Sequence, residues 1–556
     1  MKLLDLVTIC LFTLGIIGSG VLFSRSGRSM KNFFSAGGAV PWGMAGLSLF
    51  MGFFSAGTFV VWGSIAYSAG WVAVMIQWTM CVAGLLVGLF IASRWRRTGA
   101  LTAAEYISER LGLGTQKAYT VLFLFVSLFT TGSFLYPVGR ILEVSTGLPL
   151  SACIMAIGFV SILYVTAGGL RAVVVTDVLQ FLILFAAVLI VIPLAFHRVG
   201  GVGEWIAGAP EHFFDLVNGE YNWGFMIAFV LYNMVFIGGN WAYVQRYTTV
   251  KDPASARKTG LLFAGLYTFC PVLWMIPPML YRLVNPSLEG LGDEGAYLLM
   301  CKEVLPAGLL GLMIGGMIFA TASSLNATLN ISSAVFTNDI FKRLKPESGD
   351  RTLMRVARAA TIVFGLLAIV VALLIPLMGG VVNVVISIGA LTGVPLYLPV
   401  IWSLFSKRQT GATVLGVTLV SLAVNLIFKF AVPAFTGFAL SRAQEMMLGV
   451  GFPFVCLAVC EIRAAAKGFV APGYLSYAAS HAGAGREITE ASPADRRDNA
   501  YSIKVVGIGI ALAGAVIMAL GIAAPSGGTV VCGVASLLVA LGAVVFYAGR
   551  RLMRSV

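Results

Sequence analysis

Charge is what this chain has least of. Only 11% of its 556 residues are Asp, Glu, Lys or Arg, where a soluble domain carries about a quarter. That scarcity comes with 59% hydrophobic residues and a mean hydropathy of +0.94. It excludes a soluble globular domain and predicts an all-α polytopic membrane protein. Histidine is scarcer still: His197, His212 and His481 never pair at helical spacing inside an apolar run. Haem and copper enzymes of the membrane need axial or clustered imidazoles, so this count argues against them. The eight cysteines sit almost entirely inside apolar runs without metal-ligand spacing. They read as small apolar residues and not as a disulfide frame. No Ser-His-Asp set, His-Glu-x-x-His motif or phosphate loop is found, so the chain does not read as an enzyme.

What is present is a succession of apolar runs. A span needs roughly 20 such residues, and about fifteen candidates fit. The net charge of +14 would suggest nucleic acid in a soluble protein. Here about 30 of the 37 Lys and Arg fall in alternate loops, the positive-inside pattern. That distribution predicts a multi-pass protein of the inner (plasma) membrane, with the N-terminus outside, the C-terminus cytoplasmic and no nucleic-acid partner. The loops at 199–222 and 283–303 fall outside and are acidic; they read as covers of an entrance. Residues 1–23 read as a retained N-terminal helix and not a signal peptide, because Asp5 interrupts the n-region and no Ala-x-Ala site follows.

Three stretches carry the functional signal. Residues Ala320 to Ile340 continue an apolar run as a helix rich in hydroxyls and amides. Ala320, Ser323 and Ser324 share one face at i, i+3 and i+4. Asn326, Asn330, Ser333 and Thr337 lie on another. Such residues either glue membrane helices together or offer hard oxygens to a small hard cation; the second stripe reads as packing. The span from Trp42 carries Gly43, Gly46, Gly52 and Gly57, so it is weak at its centre. The span from Trp223 has Gly238-Gly239-Asn240 in the equivalent place. The two lie five spans apart and so run in opposite directions, the pattern of a transporter built from inverted repeats. Unwound backbone there frees carbonyls for a cation.

Tyr164-Val-Thr-Ala-Gly-Gly-Leu-Arg-Ala-Val-Val-Val-Thr-Asp-Val-Leu-Gln180 resembles the signature of the sodium:solute symporter family. Phe33-Phe-Ser-Ala-Gly-Gly, Thr102-Ala-Ala-Glu-Tyr-Ile and Gln245-Arg246 match further family motifs in order. The resemblance runs over about residues 3–463 and implies a LeuT-like fold of two inverted five-helix repeats plus flanking helices. On this reading 1–23 is an extra helix, 41–200 and 223–406 are the repeats, and 411–463 holds two flanking helices. A cytoplasmic linker of low order at 464–502 then precedes two extra helices at 503–556.

The resemblance also implies Na+ as coupling ion, no organic cofactor, and a small-molecule solute carried across the lipid bilayer. Its sodium site would use the carbonyls of Met51 and Phe54 with Ala320, Ser323 and Ser324. Asp177 would mark a second sodium site or the exit path, or simply an interfacial cap. Solute contacts fall at Thr58, Gln77, Asn240 and Trp241, with Tyr243 as gate. Sugar-transporting relatives place Gln at Thr58 and an acid at Gln77, so this chain departs there. A sugar, amino sugar or sugar acid ranks above proline. Asn240, next to Gly-Gly, could equally satisfy freed backbone groups. An uncoupled facilitator and a transporter-like sensor remain the alternatives.

Overall fold

In the computed structural model, which describes residues 2–11, 40–100, 102–167, 170–288, 290–482 and 493–554, helix α1 (3–11) is anchored through Asp5. The Asp5 carboxylate accepts from the N–H of Gly308 at 2.6 Å and of Gly311 at 3.2 Å. It thereby caps the long helix starting at Leu309, whose first N–H groups have no partner within the helix. The Phe33-to-Gly38 motif lies outside the described residues, as does the rest of the N-terminal segment up to 39.

The glycine-weakened span is broken where expected. Helix α2 (Trp42–Met51) stops at Gly52, and α3 (Thr58–Ala69) resumes after an irregular stretch. Next come α4 (Val72–Arg97), α5 (Leu113–Thr146), α6 (Leu150–Ala167) and α7 (Leu170–Val199). The second broken span is α8 (Trp223–Gly239) followed by α9 (Trp241–Thr248), bent by 61°. Gly239 makes the bend possible, since a Cβ there would meet Tyr397 Cβ at 2.7 Å. The carbonyl freed at Gly238 accepts from Trp95 Nε1 at 2.7 Å. Helices α10 (Pro253–Val284), α11 (Leu309–Val335), α12 (Arg351–Met378) and α13 (Val381–Ser403) complete the second set of five. The broken helices thus open each half.

Close packing at small residues holds the bundle. A Cβ on Gly260 of α10 would lie 2.6 Å from Gly88 Cα of α4, and one on Gly316 of α11 would lie 3.2 Å from Leu184 of α7. Two flanking helices follow, α14 (Gly411–Thr436) and α15 (Arg442–Ala466), and then α16 (Pro493–Ala523) and α17 (Gly528–Arg554). The last two pack backbone to backbone at Gly507, Gly542 and Gly549, and Gly509 of α16 sits on Leu179 of α7.

Two expectations change. Ten helices among the described residues are long and apolar enough to cross a membrane, or eleven with the bent pair as one span. Four further apolar helices are shorter, so a count of fifteen is not confirmed. The segment read as a linker also holds helix: Pro472–Ala482 is helical and α16 begins at Pro493. Aromatic anchoring explains the former. The Tyr474 ring lies 5.1 Å from the Arg110 guanidinium, and Tyr477 packs against Tyr106.

Candidate functional site

The site grows out of the break between α2 and α3. In a continuous helix the N–H of Ser55 would bond the Met51 carbonyl, and that of Thr58 the Phe54 carbonyl. Instead Ser55 N–H donates to Thr58 Oγ1 at 3.2 Å, and Thr58 N–H to the Ser55 carbonyl at 2.9 Å. The two carbonyls singled out from the sequence are thereby released from their helical partners. Ala56 N–H donates across to Thr321 Oγ1 of α11 at 2.9 Å, and Ser324 Oγ donates to the Gly52 carbonyl at 3.5 Å. Ala320 and Ser324 are buried on this contact face. Ser323 belongs to the same helix, but its side chain lies outside the described part, as does that of Asn326. Of the second stripe, Ser333 donates to the Ala357 carbonyl of α12 at 2.7 Å, the packing role expected of it.

Two cavities meet at this break. The larger holds about 130 Å³ and is walled by the α2–α3 break and by α3, α5, α8 and α13, with Met80 of α4, Tyr243 of α9 and Tyr267 of α10. That is room for about ten water positions, the size of one small solute. The smaller, about 20 Å³, reaches Ser48, Asp177, Arg246, Ser324 and Thr328. Gly52, Thr130, Phe134, Tyr243 and Tyr397 line both and form the partition. The Tyr243 ring packs tilted against Phe53, with centroids 4.6 Å apart, and its phenol donates to the Gly52 carbonyl at 3.5 Å. Only a glycine permits this approach: a Cβ at position 52 would sit 2.8 Å from the Tyr243 ring. Behind the partition Ser48 joins two buried charges. Its hydroxyl donates to Asp177 at 2.5 Å and accepts from Arg246 Nε at 3.0 Å.

The solute residues named from the sequence are not all brought together. Thr58 lines the larger cavity. Asn240 and Trp241 lie off it. Asn240 Oδ1 accepts from Ala242 N–H at 3.0 Å and caps α9, while its amide donates to Tyr397 Oη at 3.2 Å. Trp241 stacks on Phe123 at 4.4 Å. Gln77 is buried away from the lining, and neither of its amide atoms has a partner among the described residues. Gln180, one turn beyond Asp177, is in the same state. Sequence reasoning missed the aromatic wall of α8 and the Ser48–Arg246 link. A lone Ser in an apolar helix and the Arg of Gln245-Arg246 were the available signals.

A further cluster lies in the loop before α11. The buried Glu294 accepts from Tyr136 Oη of α5 at 2.9 Å and from Val381 N–H, at the start of α13, at 3.2 Å. Arg140 Nε lies 3.8 Å away. Burial pushes the Glu294 carboxyl above the ordinary glutamate range, against the lowering effect of those hydrogen bonds.

The model of the sodium:solute symporter family matches residues 33–419. The chain belongs to that family. Its relatives include a sodium/glucose cotransporter of Vibrio parahaemolyticus, 28% identical over 470 residues, spanning 77% of this chain and 86% of the relative. A sodium/sialic acid symporter of Proteus mirabilis is 27% identical over 423 residues, spanning 73% and 85%. Among solved structures, a substrate-bound, outward-open Na+-coupled sialic acid symporter superposes with a TM-score of 0.71 at 23% identity, over 85% of this chain and 99% of that one. A nucleobase-cation-symport-1 transporter follows at 0.54 and 17%, over 81% and 98%. This symporter is therefore an all-helical, multi-pass protein of the LeuT-like fold.

Proposed function

We propose that the chain is a sodium-coupled secondary active symporter importing a small polar organic solute (a sugar, amino sugar or sugar acid) by alternating access. The observation that carries this is the diverted hydrogen bonding at Ser55 and Thr58, which releases the Met51 and Phe54 carbonyls in a break tied to α11 through Ala56–Thr321 and Gly52–Ser324. Hard, uncharged oxygens in such a setting suit Na+. Family membership supports the same ion. Sodium held by Met51, Phe54, Ala320, Ser323 and Ser324 ties α2 to α11 and shapes the cavity beside it. Thr58 contacts the solute there, while Gln77, Asn240 and Trp241 support the wall from behind.

Tyr243 then acts as the gate on the inward side. Its rotation off Phe53 and Gly52 joins the two cavities and opens a path past Ser48 and Asp177. Asp177 serves as a second sodium site or as the last stop before release. Na+ is the only coupling ion the cycle requires, and no organic cofactor enters it. A membrane potential supplies about 2.3 kcal/mol per charge per 100 mV. The excess of Lys and Arg in alternate loops supports a reading with the N-terminus outside and the C-terminus in the cytoplasm. The test is uptake into proteoliposomes under an inward sodium gradient, compared with choline. Solute accumulation in sodium only is expected; equal uptake in choline would mean an uncoupled facilitator and refute symport.

A further inference from the structure

The larger cavity carries a bias that narrows the solute. Among the described residues lining it, none is Asp, Glu, Lys, Arg or His. Four of its Ser and Thr hydroxyls are also turned one way. Thr58 donates to the Phe53 carbonyl at 2.6 Å, Thr130 to Val126 at 3.1 Å, Ser133 to Phe129 at 2.9 Å and Thr392 to Ile388 at 2.8 Å. A carbonyl can only accept, so each hydroxyl proton is already engaged. What these groups present to the cavity is lone pairs. Asn233 adds to this. Thr79 gives its proton to the Ile76 carbonyl, so Asn233 must donate its amide hydrogen to Thr79 Oγ1, at 3.0 Å, and keeps its oxygen as acceptor.

Several main-chain donors beside the cavity are used as well. At the start of α3, the N–H groups of Ser55 and Ala56 go to Thr58 and Thr321. At the start of α9, that of Ala242 goes to the Asn240 side chain. Phenols of Tyr232, Tyr267 and Tyr397 remain as neutral donors. The opposite wall is apolar: Phe229, Tyr232 and Phe236 of α8 stack in series at 5.4 and 5.5 Å, with near-parallel planes. Gly389 and Gly393 of α13 let Tyr232 approach to a distance no Cβ would allow.

We infer that the cavity selects an uncharged, hydroxyl-rich solute with one flat apolar face, such as a neutral sugar or cyclic polyol, and rejects sugar acids and protonated amino sugars. The inference rests on the symport reading for the location of the solute, and it narrows the solute classes which that reading leaves open. A carboxylate would meet lone pairs with no countercharge, and burying an unpaired charge is costly. An ammonium would find no carboxylate, with sodium held at the neighbouring break. A neutral sugar donates its hydroxyls to the acceptors and lays its C–H face on the aromatic wall.

The test is ligand-induced thermal stabilisation of the purified full-length protein, in sodium and in choline. The probes are matched sets that share stereochemistry: a hexose, its hexuronic acid and its hexosamine, together with cyclic polyols. At least one neutral member is expected to bind about 100-fold more tightly than its acid and amine partners. Thr392→Val, which keeps shape and loses the acceptor, should weaken that binding about tenfold and leave the sodium response unchanged. An acid or amine within tenfold of its neutral partner overturns the inference, and so does failure of every neutral probe. Neutral selectivity that persists unchanged in choline supports the inference while removing sodium coupling, so the two failures are distinct.

Discussion

Asn240 shows how one residue can be read two ways. From the sequence it stood both as a solute ligand and as a group that satisfies backbone freed by Gly238 and Gly239. In the structure its side chain caps α9 and bonds Tyr397, and it lies off the larger cavity. A lost cap costs about 1 kcal/mol, and serine replaces asparagine well at that position. Asn240→Ala should therefore lower the melting temperature, while Asn240→Ser should restore it with little change in solute affinity. Equal loss of affinity in both variants, measured by the same thermal assay, would return Asn240 to the solute site. Thr58 differs, because its one hydroxyl both closes the break and faces the cavity. The release of the Met51 and Phe54 carbonyls was legible only as a glycine-weakened helix. Which N–H groups would be diverted depends on Thr58 and Thr321, and no local pattern announces that.

At the level of elements, the acidic loop at 283–303 does more than cover an entrance. Through Glu294 it joins α5 at Tyr136 to the first turn of α13 at Val381. α13 also lines the larger cavity, so this loop holds one of its walls. Burial raises the Glu294 pKa, so the folded state retains a proton that the unfolded chain has lost. Stability then falls as pH rises from the ordinary glutamate value, about 4.3, through the raised one. Glu294→Gln keeps one oxygen to accept from Val381, lets its amide NH2 donate to Tyr136 Oη, and cannot ionise. Its melting temperature should be flat over that range, where the parent's declines. A parent curve that rises with pH in that window would refute the assignment. Neither Glu294 nor the Asp5 cap was legible as a contact, since each joins segments far apart in sequence. Their charge in so apolar a chain was the one visible mark.

For the molecule as a whole, composition and symmetry carried far. Scarce charge, two glycine-broken spans five apart and the Tyr164-to-Gln180 signature were enough for the fold class and the family. The polar faces of a helix could be separated, but not the walls of a cavity. Those walls come from the α2–α3 break and seven helices, and their aromatic residues look like ordinary membrane core in sequence. The count of fifteen spans is not confirmed: among the described residues ten or eleven helices are long enough to cross, and four further apolar helices are shorter. Sodium-coupled symport requires a cation bound between the broken α2–α3 span and the Ala320–Ser324 face of α11. The most direct test is the sodium concentration dependence of thermal stabilisation in the Ser323→Ala/Ser324→Ala double variant, with the melting temperature in choline as the control for folding. The prediction is an unchanged melting temperature in choline and at least about tenfold weaker sodium affinity, with loss of sodium-driven uptake. Unchanged sodium affinity in a folded double variant would contradict it.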